Sequence, residues 1–170
     1  AESREETYLN GLRQRRLYRL AAIYCRDEMN RAGITPERPG ELSLELSRTL
    51  AAQAVETPPA ESGPLWQQAL AAVDPYVGPL PPGDPRGLLC RVQNALVLLG
   101  RGELLRRQSE LVTDNAALLE EARTQLRAAV AKLGPLATEV QDLQRTGVAA
   151  KLPPGSPTAA ELFALEVNLN

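Results

Sequence analysis

The sequence predicts an all-α fold, a stack of antiparallel helical hairpins, and three observations predict it. Apolar residues recur at three- and four-residue spacing along most of the chain, and no segment alternates apolar and polar residues with the period of two that a half-buried strand requires. Aromatic residues are only 4% of the 170, with Trp66 and Phe163 single examples of their kinds. The core must therefore come from Leu, Ala and Val, which suits helices better than the β-branched and aromatic surfaces of sheets. Pro- and Gly-containing signals also divide the chain at intervals of helical length.

Composition narrows the function classes. Hydrophobic residues make up 44% and charged residues 24%, a balance that supports a folded core in water rather than a disordered chain. Apolar runs such as Ala95–Leu99 are far shorter than the roughly 20 residues that span a bilayer. The formal net charge is -2, and nearly all basic residues are arginine, Lys132 and Lys151 excepted. That near balance argues against a nucleic-acid binder, whose footprint would be strongly basic. The numbering opens at Ala1 rather than Met, which fits either removal of a leader or a trimmed chain.

The first hairpin is expected over about residues 3–32. Its first helix, Ser3–Arg13, carries Glu2, Glu5 and Glu6 early and arginines late, as the helix dipole favours, with Tyr8, Leu9 and Leu12 as its apolar face. A turn near Gln14–Arg16 leads to a second helix with Leu17, Leu20, Ala21, Tyr24 and Cys25 at helical spacing, ending at Gly33. A second hairpin is expected over 36–77. Thr35-Pro36 reads as an N-cap with proline at the first helical position, although Pro39 and Gly40 could delay the helix to Glu41. Leu42, Leu46, Thr49, Leu50 and Val55 hold the period up to Thr57-Pro58-Pro59. Gly63-Pro64 then opens a shorter helix with Leu65, Trp66, Ala69, Leu70 and Val73, ended or kinked at Asp74-Pro75.

Gly78–Asp84, with three prolines, reads as a linker, and Asp84-Pro85 repeats the N-cap signature. A third hairpin is expected over 84–112: Leu88–Leu99, nearly apolar on all sides, then a tight turn or mild break at Gly100-Arg101-Gly102 before Glu103–Val112. Thr113-Asp114-Asn115 caps a long helix over 115–146. In it Leu119, Ala122, Leu126, Ala129, Leu133, Leu136, Val140 and Leu143 alternate three- and four-residue spacing. The register survives Gly134-Pro135, which predicts one helix kinked at Pro135. Residues 1–150 are thus read as a single helical domain and 151–157 as a Pro-rich linker. Residues 158–170 form a last helix opened by a Thr158/Glu161 capping box, either docking back or starting a continuing chain.

Thr7–Met29 resembles a tetratricopeptide repeat. Tyr8 and Leu12 match the large positions of that family's first helix, Ala21 the small position of its second helix, and Cys25 the bulky position that follows. Leu9 stands where the first helix usually has glycine, and Gly33 lies near the place of the closing proline. Gly100-Arg101-Gly102-Glu103-Leu104 looks like the inter-helix turn of such a repeat. The resemblance implies a short α-solenoid of degenerate, bacterial type whose concave surface binds proteins or peptides. It also favours a periplasmic or envelope setting over the cytoplasm, while the lysines and asparagines of a carboxylate clamp have no counterparts here. An irregular helical bundle is the alternative architecture.

Catalytic chemistry finds little to stand on. There is no histidine, which removes the commonest general base, metal ligand and pH switch. Cys25 and Cys90 sit on strongly apolar helices and read as buried packing residues, with a disulfide between them the lesser alternative. Glu5-Glu6 and Glu120-Glu121 lie in first turns, where the helix dipole accounts for them as solvated carboxylates. No catalytic, metal or cofactor residue is assigned. Two arginine clusters are the candidate interaction residues, Arg13, Arg15, Arg16 and Arg19 with Tyr18 around the first turn, and Arg101, Arg106 and Arg107 around the third. The reading is a non-enzymatic scaffold for a protein partner, monomeric or weakly self-associating. The alternative is a structural homo-oligomer joined through the heptad helix 115–146, against which the broad apolar stripe, widened by Val130 and Ala137, favours packing within the chain.

Overall fold

A computed structural model describes residues 4–77, 85–113, 115–146 and 156–167. Among these residues there are seven α-helices and no strand, the class that the composition and periodicity predict. They are α1 (Arg4–Gln14), α2 (Tyr18–Met29), α3 (Arg38–Glu56), α4 (Pro59–Val77), α5 (Pro85–Leu111), α6 (Ala116–Arg145) and α7 (Ala159–Val167). No described helix is long and apolar enough to cross a membrane. The linker read at Gly78–Asp84, the cap at Asp84, the stop at Gly147 and most of the Pro-rich segment 151–157 lie outside the described residues.

Each helix packs against the next in sequence, and α3 also packs against α1 and α5. Two apolar clusters result. The first joins Leu9 and Leu12 of α1, Ala21, Ala22 and Cys25 of α2, Leu46, Leu50 and Ala54 of α3, Trp66 and Ala69 of α4, and Val97 of α5. The second joins Leu88, Val92 and Ala95 of α5 to Leu133, Leu136, Ala137 and Val140 of α6 and to Ala159 and Leu162 of α7. Among the described residues, only α5 contributes to both. Ala122, Ala129, Leu133, Leu136 and Val140 of the heptad seam are buried within the chain itself.

Several expected boundaries need correcting. The third hairpin is absent, because α5 runs unbroken through Gly100-Arg101-Gly102. Gly102 serves close helix approach rather than a turn, and Gly100 lies in ordinary contact with Trp66. A Cβ on Gly102 would lie 2.7 Å from Leu126 Cγ and 3.1 Å from the Leu126 backbone nitrogen, and one on Gly100 would lie 3.6 Å from the Trp66 ring. α4 starts at Pro59 rather than Gly63 and passes through both Pro64 and Pro75. Pro59 takes a first-turn position where no amide bond is lost, and burial of Trp66, Ala69 and Val73 carries the helix past Pro64 despite its missing donor. α3 starts at Arg38 rather than Pro36, since the Arg38 amide bonds to the Thr35 carbonyl at 3.1 Å in a turn that precedes the helix. α6 continues as one helix across Gly134-Pro135.

Asn115 is the residue before α6, but its side chain caps the other helix. Its Nδ2 donates to the carbonyls of Ser109 and Val112 (2.7 Å for the latter), which closes off the end of α5. The Thr158/Glu161 capping box forms as the sequence predicts. The Thr158 amide donates to Glu161 Oε2 at 2.6 Å and the Glu161 amide to Thr158 Oγ1 at 3.2 Å, and the backbone donor holds the Glu161 carboxyl below its ordinary pKa. Cys25 and Cys90 are buried free thiols, each pushed up to about 11 first of all by burial, which makes both poor nucleophiles.

The glycines separate two effects that a single helix-propensity scale merges. Gly102→Ala is expected to destabilise the chain by about 1–2 kcal/mol, because overpacking against Leu126 outweighs the propensity gained. Gly11→Ala and Gly63→Ala, where a Cβ meets nothing within 4 Å, are expected to stabilise by roughly 0.5–1 kcal/mol. Urea unfolding of the three variants checks both signs.

Candidate interaction surface

The polar groups nearest the core decide which arginines are free to act on anything else. α1 buries only Leu9 and Leu12, so its attachment to α3 relies on charge. Arg13 Nη1 lies 2.8 Å from Glu45 Oε2, with side-chain exposures of 15% and 10%. Arg13 also donates to Thr49 Oγ1 at 3.2 Å and, through Nη2, to Asn10 Oδ1 at 2.6 Å. Glu45 Oε2 is buried and accepts no aligned hydrogen bond, so this contact is a charge pair. Its other oxygen accepts from Arg48 at 2.5 Å.

A second bridge lies nearer the start of α1. Glu5 accepts the Tyr24 hydroxyl hydrogen at 2.8 Å and is also held by Arg38, which in turn donates to Glu41 at 3.0 Å. The Tyr8 and Tyr24 rings meet edge to face with centroids 5.4 Å apart. Glu5, expected as a solvated first-turn acid, is therefore a tie between α1, α2 and α3. The sequence held one signal for Glu45: it sits three residues after Leu42 and four before Thr49, on the apolar face of its helix.

The candidate residues separate accordingly. Arg13 and Arg101 are held within the chain, the latter by Glu121 at 2.6 Å. Arg16 has φ 59°, which forms the tight turn between α1 and α2, and lies 3.3 Å from Glu56 with 76% of its side chain exposed. Tyr18 also turns toward Glu56, and its hydroxyl pKa is raised first by burial and then by that contact. Arg15, Arg19, Arg106 and Arg107 are exposed. The first cluster spans the end of α1, the turn after it and the start of α2, and the second lies on α5.

Exposed apolar residues collect beside the first cluster. Tyr8 (47%), Leu17 (44%), Leu20 (50%) and Ile23 (42%) all belong to the α1–α2 segment. Sequence periodicity places Leu17 and Leu20 on one apolar face with Ala21 and Cys25; the structure divides that face, burying Ala21 and Cys25 and leaving Leu17 and Leu20 in solvent. Tyr8, a large position in the repeat comparison, is half exposed, whereas Leu9 beside it is fully buried. A groove of about 450 Å³ along α1 is lined by Thr7, Tyr8, Asn10, Gly11, Leu12, Gln14 and Arg15. No group of three or more metal-ligating side chains stands together among the described residues.

Compared with family models, with curated proteins and with solved structures, the chain has no match in any of the three.

Two measurements test the polar ties. Arg13→Met removes one of the two arginines on buried Glu45, leaving Arg48, and is expected to cost about 1–3 kcal/mol by urea unfolding, whereas Arg16→Met at an exposed pair is expected to change stability by less than about 1 kcal/mol. The Glu5 hydrogen bond raises the Tyr24 pKa from 10.0 to about 12. A folded pKa above the unfolded one means that the stabilisation is complete below pH 10 and disappears as pH rises through about 12. A phenolate absorbance titration should show a component titrating near pH 12 that is absent in Tyr24→Phe and brought down toward the ordinary range in Glu5→Gln.

Proposed function

We propose that the chain is a non-enzymatic protein-interaction scaffold built as a short, tetratricopeptide-like stack of antiparallel hairpins. The observation that carries the reading is the packing of alternate helices: α3 packs on α1 and α5 as well as on α2 and α4. In a stacked-hairpin array the first helices of successive pairs form one row and the second helices another, and that row offers an extended face.

The directions of the contacts support it. Tyr24, late in α2, meets Glu5 and Tyr8, early in α1. Gly40, early in α3, lies against Tyr76, late in α4. Arg91 and Glu139, bonded at 2.7 Å, join the start of α5 to the second half of α6. Within the α1–α3 row the order is parallel, Glu5 to Arg38 and Arg13 to Glu45. The face of α3 left uncovered carries Glu41, Leu44, Arg48, Ala52 and Val55 at three- and four-residue spacing, with Glu41, Arg48 and Val55 exposed. A mixed apolar and charged strip of this kind suits a protein segment better than a small molecule. Leu133, Leu136 and Val140 of the heptad seam pack against α5 and α7 within the chain, which favours the scaffold reading over assembly through α6.

Photocrosslinking from positions 48 and 55 of the full chain, in cells of its natural host, tests the assignment. A discrete protein adduct from this face, lost on Val55→Asp and absent from a control probe at position 127 on exposed α6, is the expected result. Indistinguishable adducts from both faces, or none, would overturn it.

A further inference from the structure

The outer face of α2 belongs to the other row of helices, and it is self-complementary. α2 buries Ala21, Ala22 and Cys25, which places Leu20, Ile23 and Asp27, three and four residues apart, on the side away from α3. Leu20 and Ile23 are half exposed, and Leu17 and Tyr8 widen the apolar patch on the α1 side. Charge is divided along this face. Arg15, Arg16 and Arg19 stand at its amino-terminal end, Arg16 beside Glu56 of α3, and Asp27 at its carboxyl-terminal end, all four exposed. The side chains of Arg19 and Asp27 make no ion pair or hydrogen bond among the described residues, whereas Arg26 is drawn toward Gln68 of α4 and Glu28 is paired with Arg31.

Such a face fits itself when reversed. If two α2 helices cross antiparallel about a two-fold axis lying between Leu20 and Ile23, Leu20 of each copy meets Ile23 of the other. The same operation brings the basic end of each helix to the Asp27 end of its mate. A parallel pairing would instead set Arg15 and Arg19 of one copy against those of the other. We infer that a second copy of this chain docks on the outer face of α2, forming an antiparallel, two-fold contact centred on Leu20 and Ile23.

The arrangement puts opposite charges at both rims and the apolar pair at the centre, the order found in specific interfaces. The apolar patch rests on four half-exposed side chains, well below what a permanent dimer buries, so the contact is one that dissociates on dilution. It leaves the exposed strip of α3 open, which allows a dimer to present two copies of that strip.

Sedimentation velocity of the full chain, from low micromolar to near millimolar, reads the association. The expected result is a mass that climbs from monomer toward dimer, is held at monomer by Ile23→Asp, and is unchanged by Arg127→Glu on exposed α6. Ile23 is half exposed, and a circular dichroism melt of Ile23→Asp establishes that the variant is folded. Asp27→Arg should weaken the dimer several-fold, and the reversal Arg19→Asp with Asp27→Arg should restore it. Register is read by mixing equal amounts of Leu20→Cys and Ile23→Cys proteins in a glutathione buffer, where the mixed disulfide should exceed the sum of the two homodisulfides that random pairing would give. A constant monomer mass, a dimer indifferent to Ile23→Asp, or a mixed-disulfide yield no greater than the sum of the two homodisulfides would each overturn the proposal.

Discussion

Helices that bury alanine must lie closer together than helices that bury leucine or phenylalanine, and the rest of this structure depends on that closeness. Ala21, Ala54, Ala69, Ala95, Ala129 and Ala137 are all fully buried. With so few aromatic residues available, packing density is reached by bringing backbones together rather than by filling space with rings. Gly102 against Leu126 is the tightest example, because even a methyl group would not fit there without displacement. Gly40, seated against the Tyr76 ring, plays the corresponding part between α3 and α4.

Close packing also explains why charged residues hold α1. A helix that buries two leucines gains little from apolar burial, and the deficit falls to two polar ties. The Arg13–Glu45 pair sits where water is scarce, so each partner depends on the other's presence more than on the attraction between them. The Glu5 tie differs because Tyr24 contributes a neutral donor and an aromatic contact with Tyr8 at the same place. Together they fix two points along α1, near each end, and so set its direction as well as its position.

The sequence made the helices legible because their period is carried by many residues at once, and it made the interruptions less legible because each rests on one or two. Gly100 and Gly102 carry the same local signature whether they form a turn or a close contact, and only the neighbour, Leu126 or Trp66, decides between them. Pro64 likewise signals a break, which burial of Trp66 a half-turn later overrides. The capping box at Thr158 was readable because its two partners are three residues apart. Glu45 was harder to read, since its partner Arg13 is on another helix and nothing local distinguishes a buried carboxylate from a solvated one. For the candidate surface, composition pointed to the arginines, but which of them remain in solvent follows from long-range pairs that no spacing reveals. Leu20 reads in the sequence as part of the buried stripe with Ala21 and Cys25, because spacing alone does not separate an inward apolar residue from an exposed one.

α5 has the further property of lying in two cores. Leu88, Val92 and Ala95 serve one, and Val97 serves the other together with the half-buried Leu104. A helix turns about 100° per residue, so inserting or deleting one residue between Ala95 and Val97 would swing one set of contacts by that angle relative to the other. The two cores are geared together through this rod, and length variation of α5 is confined to whole-turn steps or to its ends, whereas the connections between helices stay open to change.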